Sequence, residues 1–343
     1  MNAFGQRKGE RKMYYIDMHC DTLAKGVAYR KKTITVMEQT MVDITRLRQA
    51  GAAAQFFAMF VPQKEYHKDY QCWVSVDDTV TEEDFIVQMY EVYQNTLQEN
   101  ADTLAFAQSY EDLQKNQENG KISAFLTIEN GYPVKGKLEN IKKYHDMGVG
   151  LMTLTWNDPN CFGYPHSKDP EEMKKGLTDF GKEAIEYMNE LGMVIDVSHL
   201  SDGGFWDVAE ISKKPFVASH SNCRELSPAT RNLTDEMIRC LAEKGGVAGL
   251  NFEPSFLNQD TTDRNSRIEQ MCDHIAHFIR VGGTECVGIG TDFDGIGGQL
   301  EINECTKMEQ LFDALHKKGI HEDTLEKIAY KNVARVIRES MHA

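Results

Sequence analysis

The chain lacks any run of about 18 apolar residues, the length a helix needs to cross a bilayer, so no membrane-spanning helix is predicted. Its opening stretch, Met1 to Lys12, has no apolar core either; polar and basic, it reads as neither a signal peptide nor an anchor. A cytoplasmic protein without a membrane partner is the expectation. Basic charge is also scarce: 38 Lys and Arg stand against 53 Asp and Glu, for a formal net charge of -15. Such a surface repels phosphate backbones and anionic lipid, which argues against nucleic acid as a partner. Eight cysteines occur, but no Cys-x-x-Cys pair and no dense framework, as in a chain of reduced thiols. Also missing are a Gly-x-Gly-x-x-Gly turn, an internal repeat below the βα level, and a low-complexity tract.

What is present is a regular alternation of short apolar runs with longer stretches of helical period, the pattern of repeated βα units. Strands are predicted at Tyr14–His19, Ala52–Phe60, Ile122–Glu129, Gly150–Trp156, Met193–His199, Phe216–His220, Val247–Phe252 and Cys286–Asp292. Helices are predicted around Asp43–Ala50, Glu82–Gln98, Leu138–Met147, Asp179–Leu191, Asp202–Ile211, Asp235–Lys244, Asn265–Val281, Met308–Lys317 and Glu322–Glu339. Ser201 and Thr234 stand where a side-chain oxygen caps a helix start, and Gly192 where a helix stops. Eight strands with intervening helices and no composition break predict one α/β domain over 1–343, a closed (β/α)8 barrel of the TIM type. Its strands span about 14–292 and further helices span about 306–339. An open doubly wound sheet is the alternative, but such sheets carry a glycine-rich turn after the first strand, where this chain has His19-Cys20-Asp21. The segment Gln63–Thr81, with Tyr66, Tyr70 and Trp73, fits neither period and is expected as a long loop over one barrel end, part of a lid or an interface.

The chemistry is concentrated at strand ends. In Tyr15–Asp21 an apolar opening runs into His-x-Asp; alternation along a strand points His19 and Asp21 to one side and Cys20 to the other. An imidazole nitrogen beside a carboxylate oxygen suits a divalent metal such as zinc. Glu129 ends the third predicted strand, His199 the fifth, His220 the sixth and Asp292 the eighth. Any one of these is compatible with ordinary packing. A barrel, however, gathers the C-terminal ends of its strands on one face, where active sites of such folds lie. The other histidines, His67, His145, His166, His274, His277, His316, His321 and His342, do not fall at strand ends; His145, His274 and His277 are expected on helix surfaces.

Seven segments in order, Asp17–Thr22, Ile128–Gly131, Leu154–Asn157, Asp196–His199, Ala218–Ser221, Thr230–Leu233 and Gly290–Gly295, resemble the zinc-dependent membrane (renal) dipeptidase family of metal-dependent hydrolases. The resemblance implies two Zn2+ held by His19, Asp21, Glu129, His199 and His220, with Glu129 bridging them and a hydroxide between them. It implies Asp292 as the acid/base, preferred over Asp294, which lies in an Asp-Gly turn where a structural role is expected. It places Arg231 on the substrate carboxylate, with Trp156 and Asn232 also at the substrate. In the kidney-type enzymes the position of Trp156 is a histidine; tryptophan stacks and donates one hydrogen bond but neither accepts nor takes a proton. The implied activity is hydrolysis of dipeptides, with those ending in a D-residue among the candidates, and the reading leaves room for a homodimer. Other hydrolases of the same barrel type, such as a deaminase, lactonase or phosphotriesterase, are the alternative. They often pair a His-x-His motif with a carboxylated lysine, unlike His19-x-Asp21 and Glu129 here. A barrel that binds metal without turnover is a third reading, which an intact Asp292 disfavours.

Overall fold

The apolar runs pair side by side as parallel strands in the computed structural model, which describes residues 13–62 and 80–342. Strands β1 (Tyr15–Cys20), β2 (Ala52–Phe60), β3 (Leu104–Ala107), β4 (Ile122–Glu129), β5 (Val149–Thr153), β6 (Val194–Asp196), β7 (Val217–Ala218), β8 (Val247–Leu250), β9 (Asn265–Ser266), β10 (Val287–Ile289) and β11 (Gln299–Leu300) follow in chain order. The main sheet runs β2-β1-β10-β8-β7-β6-β5-β4-β3, and β2 also pairs with β4. That last pairing closes the ring. The result is an eight-stranded parallel barrel, the predicted (β/α)8 fold, with helices around it. β3 stands outside the ring: it pairs with Ile122–Phe125 of β4, below the point where β5 joins at Leu126.

All eight predicted strands occur, yet most stop earlier than their apolar runs. β6 ends at Asp196 rather than His199, β7 at Ala218 rather than His220, and β10 at Ile289 rather than Asp292. Beyond those points the chain leaves the sheet in loops that carry the polar side chains. β1 holds one extra residue against β2, with Asp17 opposite Gln55 and Cys20 opposite Phe57. A bulge of this kind re-aims a side chain, here in the stretch Met18–His19.

Helix boundaries follow local chemistry. Ser201 accepts from the Gly204 amide and Thr234 from the Met237 amide, each satisfying an otherwise free donor of the first turn. Gly192 ends helix Asp179–Leu191 at φ 78°, a conformation that costs glycine least. The helix predicted from Asn265 begins at Ile268, because Asn265–Ser266 instead pairs with Gln299–Leu300. The C-terminal helix is interrupted by a π-turn over Lys327–Lys331. Its last part, Asn332–Ser340, buries Val333, Val336 and Ile337 against Ile16, Phe125, Leu151, Val194, Val217 and Val247 in the N-terminal halves of the strands. At about 1.5–3 kcal/mol per buried side chain of this size, that packing closes the end of the barrel away from the site.

His274 and His277 are corrected by the structure: both are buried, not on a helix surface. Their three-residue spacing puts them on one face, and that face packs inward. His274 accepts from the Cys223 amide and faces the Leu257 carbonyl, while His277 pairs with Asp235 at 2.6 Å. Seven described cysteines are free. No described helix is long and apolar enough to cross a membrane. Residues 63–79 of the segment expected as a loop, with Tyr66, Tyr70 and Trp73, lie outside the described residues, as do His67, Cys72 and the first twelve positions.

Candidate active site

Glu129, the last residue of β4, is the pivot of a buried cluster. Its Oε2 lies 3.5 Å from Nε2 of His19, which is itself 3.4 Å from Oδ2 of Asp21. Its Oε1 faces the other way, 3.0 Å from Nε2 of His199 and 3.6 Å from Nε2 of His220. Those two imidazole nitrogens are 3.1 Å apart, and the rings of His19 and His220 stack at 3.9 Å. Residues far apart in sequence thus meet because β1, β4, β6 and β7 all deliver their C-terminal ends here. The alternation predicted for His19-Cys20-Asp21 is present: Cys20 turns away to the Phe56 carbonyl.

Buried carboxylates beneath the cluster hold its loops. Asp196 accepts from the Ser198 and Ser219 amides and from the Thr153 and Ser219 hydroxyls. Since the Ser219 hydroxyl donates to Asp196, its oxygen receives the Nδ1 hydrogen of His220 at 2.7 Å, leaving the Nε2 lone pair toward Glu129. Asp17 accepts from the Thr291 amide and hydroxyl and from the His19 amide, tying β1 to the chain after β10. That chain continues along β1, with the Asp292 amide on the His19 carbonyl and the Asp21 amide on the Phe293 carbonyl. His199 and Asp292 sit at φ 67° and 61°, positions strained for a residue with a Cβ. Such strain gathers at functional sites.

Asp292 and Asp294 separate by their contacts. Asp294 accepts from the Thr22 hydroxyl and the Met41 amide, a structural role. Asp292 accepts from the Asn251 amide through Oδ2, and its Oδ1 is 3.7 Å from Nε2 of His19. Gly295 permits this crowding: an added Cβ would collide with Oδ2 of Asp21 and lie 2.6 Å from Oδ1 of Asp292.

Electrostatics follow from burial. Burial pushes Glu129 up to about 7, helped by the charge of Asp21 and opposed by His19. Burial also holds Asp292 well above the usual carboxylate range, against the pull of His19 and with Asp21 and Glu129 adding to the rise. His199 and His220 are held well below the ordinary histidine value, first by burial and then by neighbouring cations, and so stay neutral. His19 goes the other way: burial lowers it, but the Glu129 and Asp21 carboxylates outweigh that and raise it.

A cavity of about 360 Å³ opens beside the cluster, with Asp21, Glu129, His199, Arg231 and Asp292 in its wall. Arg231 is buried, donating to the Ser221 hydroxyl and the His220 carbonyl, with no partner for its Nε among the described residues and its guanidinium over the Phe256 ring. Burial lowers it to about 10. Trp156 lines the same cavity, edge-on to Phe60 at 4.9 Å. Asn232, expected at the substrate, is instead used up inside its own loop: it donates to the Ser227 and Phe256 carbonyls and accepts from the Asn222 amide. His166, set aside in the sequence because it lies at no strand end, is in the cavity wall; burial lowers it to about 3, with Arg231 and Arg224 adding to the fall. Its amide donates to the His199 carbonyl. Only this tertiary contact reveals it.

The donor set fits a metal. Both ring nitrogens of His19 and Oδ1 of Asp21 are buried without a hydrogen-bond partner among the described residues, and buried polar atoms are rarely left so without a ligand to satisfy them. His19, Glu129 and His220 bring ligand atoms within 4.8 Å of one another, as do His19, Asp21 and Asp292. Imidazole nitrogens mixed with carboxylate oxygens are the ligands of borderline divalent ions.

A closed barrel carrying such a donor set over its C-terminal strand ends belongs by class with the barrels built to hold a metal. Within that class, the chain belongs to the family Membrane dipeptidase (Peptidase family M19), whose family model matches residues 7–343. An uncharacterized dipeptidase of Schizosaccharomyces pombe is 31% identical over 306 residues, covering 87% of this chain and 72% of that protein. Dipeptidase ataJ of Aspergillus terreus is 28% identical over 316 residues, 87% of this chain and 76% of that one. Among solved structures, dipeptidase AC, a metallopeptidase of the same family, superposes with a TM-score of 0.85 at 25% identity, covering 97% of this chain and 100% of that one. A metallopeptidase from Rhodobacter sphaeroides, liganded with a phosphinate mimic of the dipeptide L-Ala-D-Ala, gives 0.85 at 25% identity, with 96% and 100% covered.

Proposed function

We propose that this chain hydrolyses the peptide bond of dipeptides at a centre of two zinc ions. The observation that carries the reading is Glu129: one oxygen faces His19, which itself lies beside Asp21, and the other faces His199 and His220. Each group of side chains would hold one metal, and the carboxylate would touch both. Two divalent cations at that place supply Lewis acidity, polarising a carbonyl and lowering the pKa of water.

The protein's own groups then divide the remaining work. Asp292 takes the proton of the attacking water and returns it to the departing amine, a task for a carboxylate whose affinity for a proton burial raises. Arg231 binds the free carboxylate of the substrate. A buried guanidinium with no ion pair among the described residues is costly unless an anion completes it. Trp156 and Phe60 form an apolar wall for a substrate side chain, in place of the histidine of the kidney-type enzymes. The solved relative that holds a mimic of L-Ala-D-Ala supports including dipeptides with a C-terminal D-residue.

The test is a comparison of a dipeptide with its own C-terminal amide. A charge-assisted contact of about 1.5–3 kcal/mol corresponds to roughly ten-fold to hundred-fold in kcat/KM, so the amide and tripeptides are expected to be poor substrates. Arg231→Ala should erase most of the difference. Equal kcat/KM for dipeptide and amide in the unmutated chain would contradict the role of Arg231.

A further inference from the structure

Asn157, beyond the end of β5, lies between two imidazoles. Its Oδ1 is 3.2 Å from Nδ1 of His199 and 3.1 Å from Nε2 of His166. A carboxamide oxygen only accepts, so both ring nitrogens facing it carry hydrogen. The tautomers follow. His199 keeps its lone pair on Nε2, the nitrogen 3.0 Å from Oε1 of Glu129. His166 keeps its lone pair on Nδ1, where the Thr230 hydroxyl donates at 2.8 Å. Turning the carboxamide over would present its NH2 to both rings and force hydrogen onto the His199 nitrogen that faces the cluster. Ligation of a metal through Nε2 of His199 would exclude that turn, because it leaves the hydrogen on Nδ1, which needs an acceptor.

We propose that Asn157 is a positioning residue: it selects the tautomer of His199 and aims its Nε2 at the metal, with His166 and Thr230 as the next links of the same hydrogen-bond chain. The inference rests on the reading of His199 as a metal ligand. Such outer partners of ligating histidines are typically worth about 10–100-fold in metal affinity. Because Thr230 precedes Arg231, the same hydrogen-bond chain joins the metal side of the cavity to the loop that carries the guanidinium.

Zinc titration of the full chain against a chelating dye tests this, with the absorption spectrum of the cobalt-loaded protein as a second readout of ligand geometry. Four proteins are compared: unmutated, His199→Ala, Asn157→Leu and Asn157→Asp. Asn157→Leu should weaken one of the two zinc sites about 10–100-fold and alter the cobalt spectrum. Asn157→Asp keeps an acceptor at the same place and should bind zinc at least as tightly as the unmutated chain. If Asn157→Leu fails to fold, Asn157→Ala removes the same acceptor without added bulk and replaces it. Unmutated zinc affinity in the acceptor-free variant, alongside a lost site in His199→Ala, would overturn the role of Asn157 alone. Two full sites in His199→Ala would instead overturn the reading of His199.

Discussion

His199 and His220 each turn one nitrogen to the centre and one to the protein, and the second decides what the first can do. Ser219 and Asp196 hold His220, while Asn157 faces His199. The sequence shows the inward half of this arrangement, because His19, Asp21, Glu129, His199 and His220 fall at strand ends where a barrel converges. It does not show the outward half. Asp17 and Asp196 look like ordinary polar positions inside apolar runs, and only a tertiary partner marks His166 or strips Asn232 of its expected place at the substrate. Asp292 is the clearest test at this scale. Asp292→Asn should leave metal content near normal and lower kcat by about 10²–10⁴-fold, as measured by elemental analysis and steady-state kinetics. Asp294→Asn, which disturbs contacts to Thr22 and Met41, should lower thermal stability instead. The reverse pattern would exchange the two assignments.

Strands were legible because parallel barrel strands are buried on both faces and read as continuous apolar runs bounded by glycine. β3 was not, being four residues long with Phe106 exposed and pairing with only the lower half of β4. The runs also overstate where pairing stops, since nothing in Val-Ser-His or Thr-Asp-Phe announces that His199 and Asp292 take a left-handed backbone. Those loop turns are the elements that aim the site, and at Gly295 the turn leaves no room for a side chain. Gly295→Ala would press a methyl group between Asp21 and Asp292. Overpacking of about 1–3 kcal/mol is expected there. The variant should fold, as read by circular dichroism, but bind metal more weakly and turn over slowly; unmutated metal affinity would show that the loop has room to yield.

Across the whole molecule, closure of the barrel forces several carboxylates and histidines into one buried volume, an arrangement stable only if cations or protons neutralise it. Glu129 makes this measurable. Its ordinary value of 4.5 rises to about 7 on folding without metal, so its favourable contribution is complete below 4.5 and is lost as pH rises through 7. The metal-stripped chain should therefore lose on the order of 3 kcal/mol of stability from this group across that window, at about 1.4 kcal/mol per unit. Glu129→Gln should flatten that part of the slope. Zinc should reverse it, because ligation requires the deprotonated carboxylate, and at a hundred-fold excess over Kd it should add about 2.7 kcal/mol. Thermal melts of both proteins at several pH values, with and without metal, distinguish these slopes; a pH-independent difference between them would contradict a buried, proton-binding Glu129.

Dipeptide hydrolysis by the chelator-stripped chain, followed as zinc is returned in measured equivalents, tests the central claim most directly. The stripped protein should show no turnover, and the rate should climb to a plateau at two equivalents per chain. Full turnover without metal, or no hydrolysis of any dipeptide with both equivalents bound, would contradict that claim.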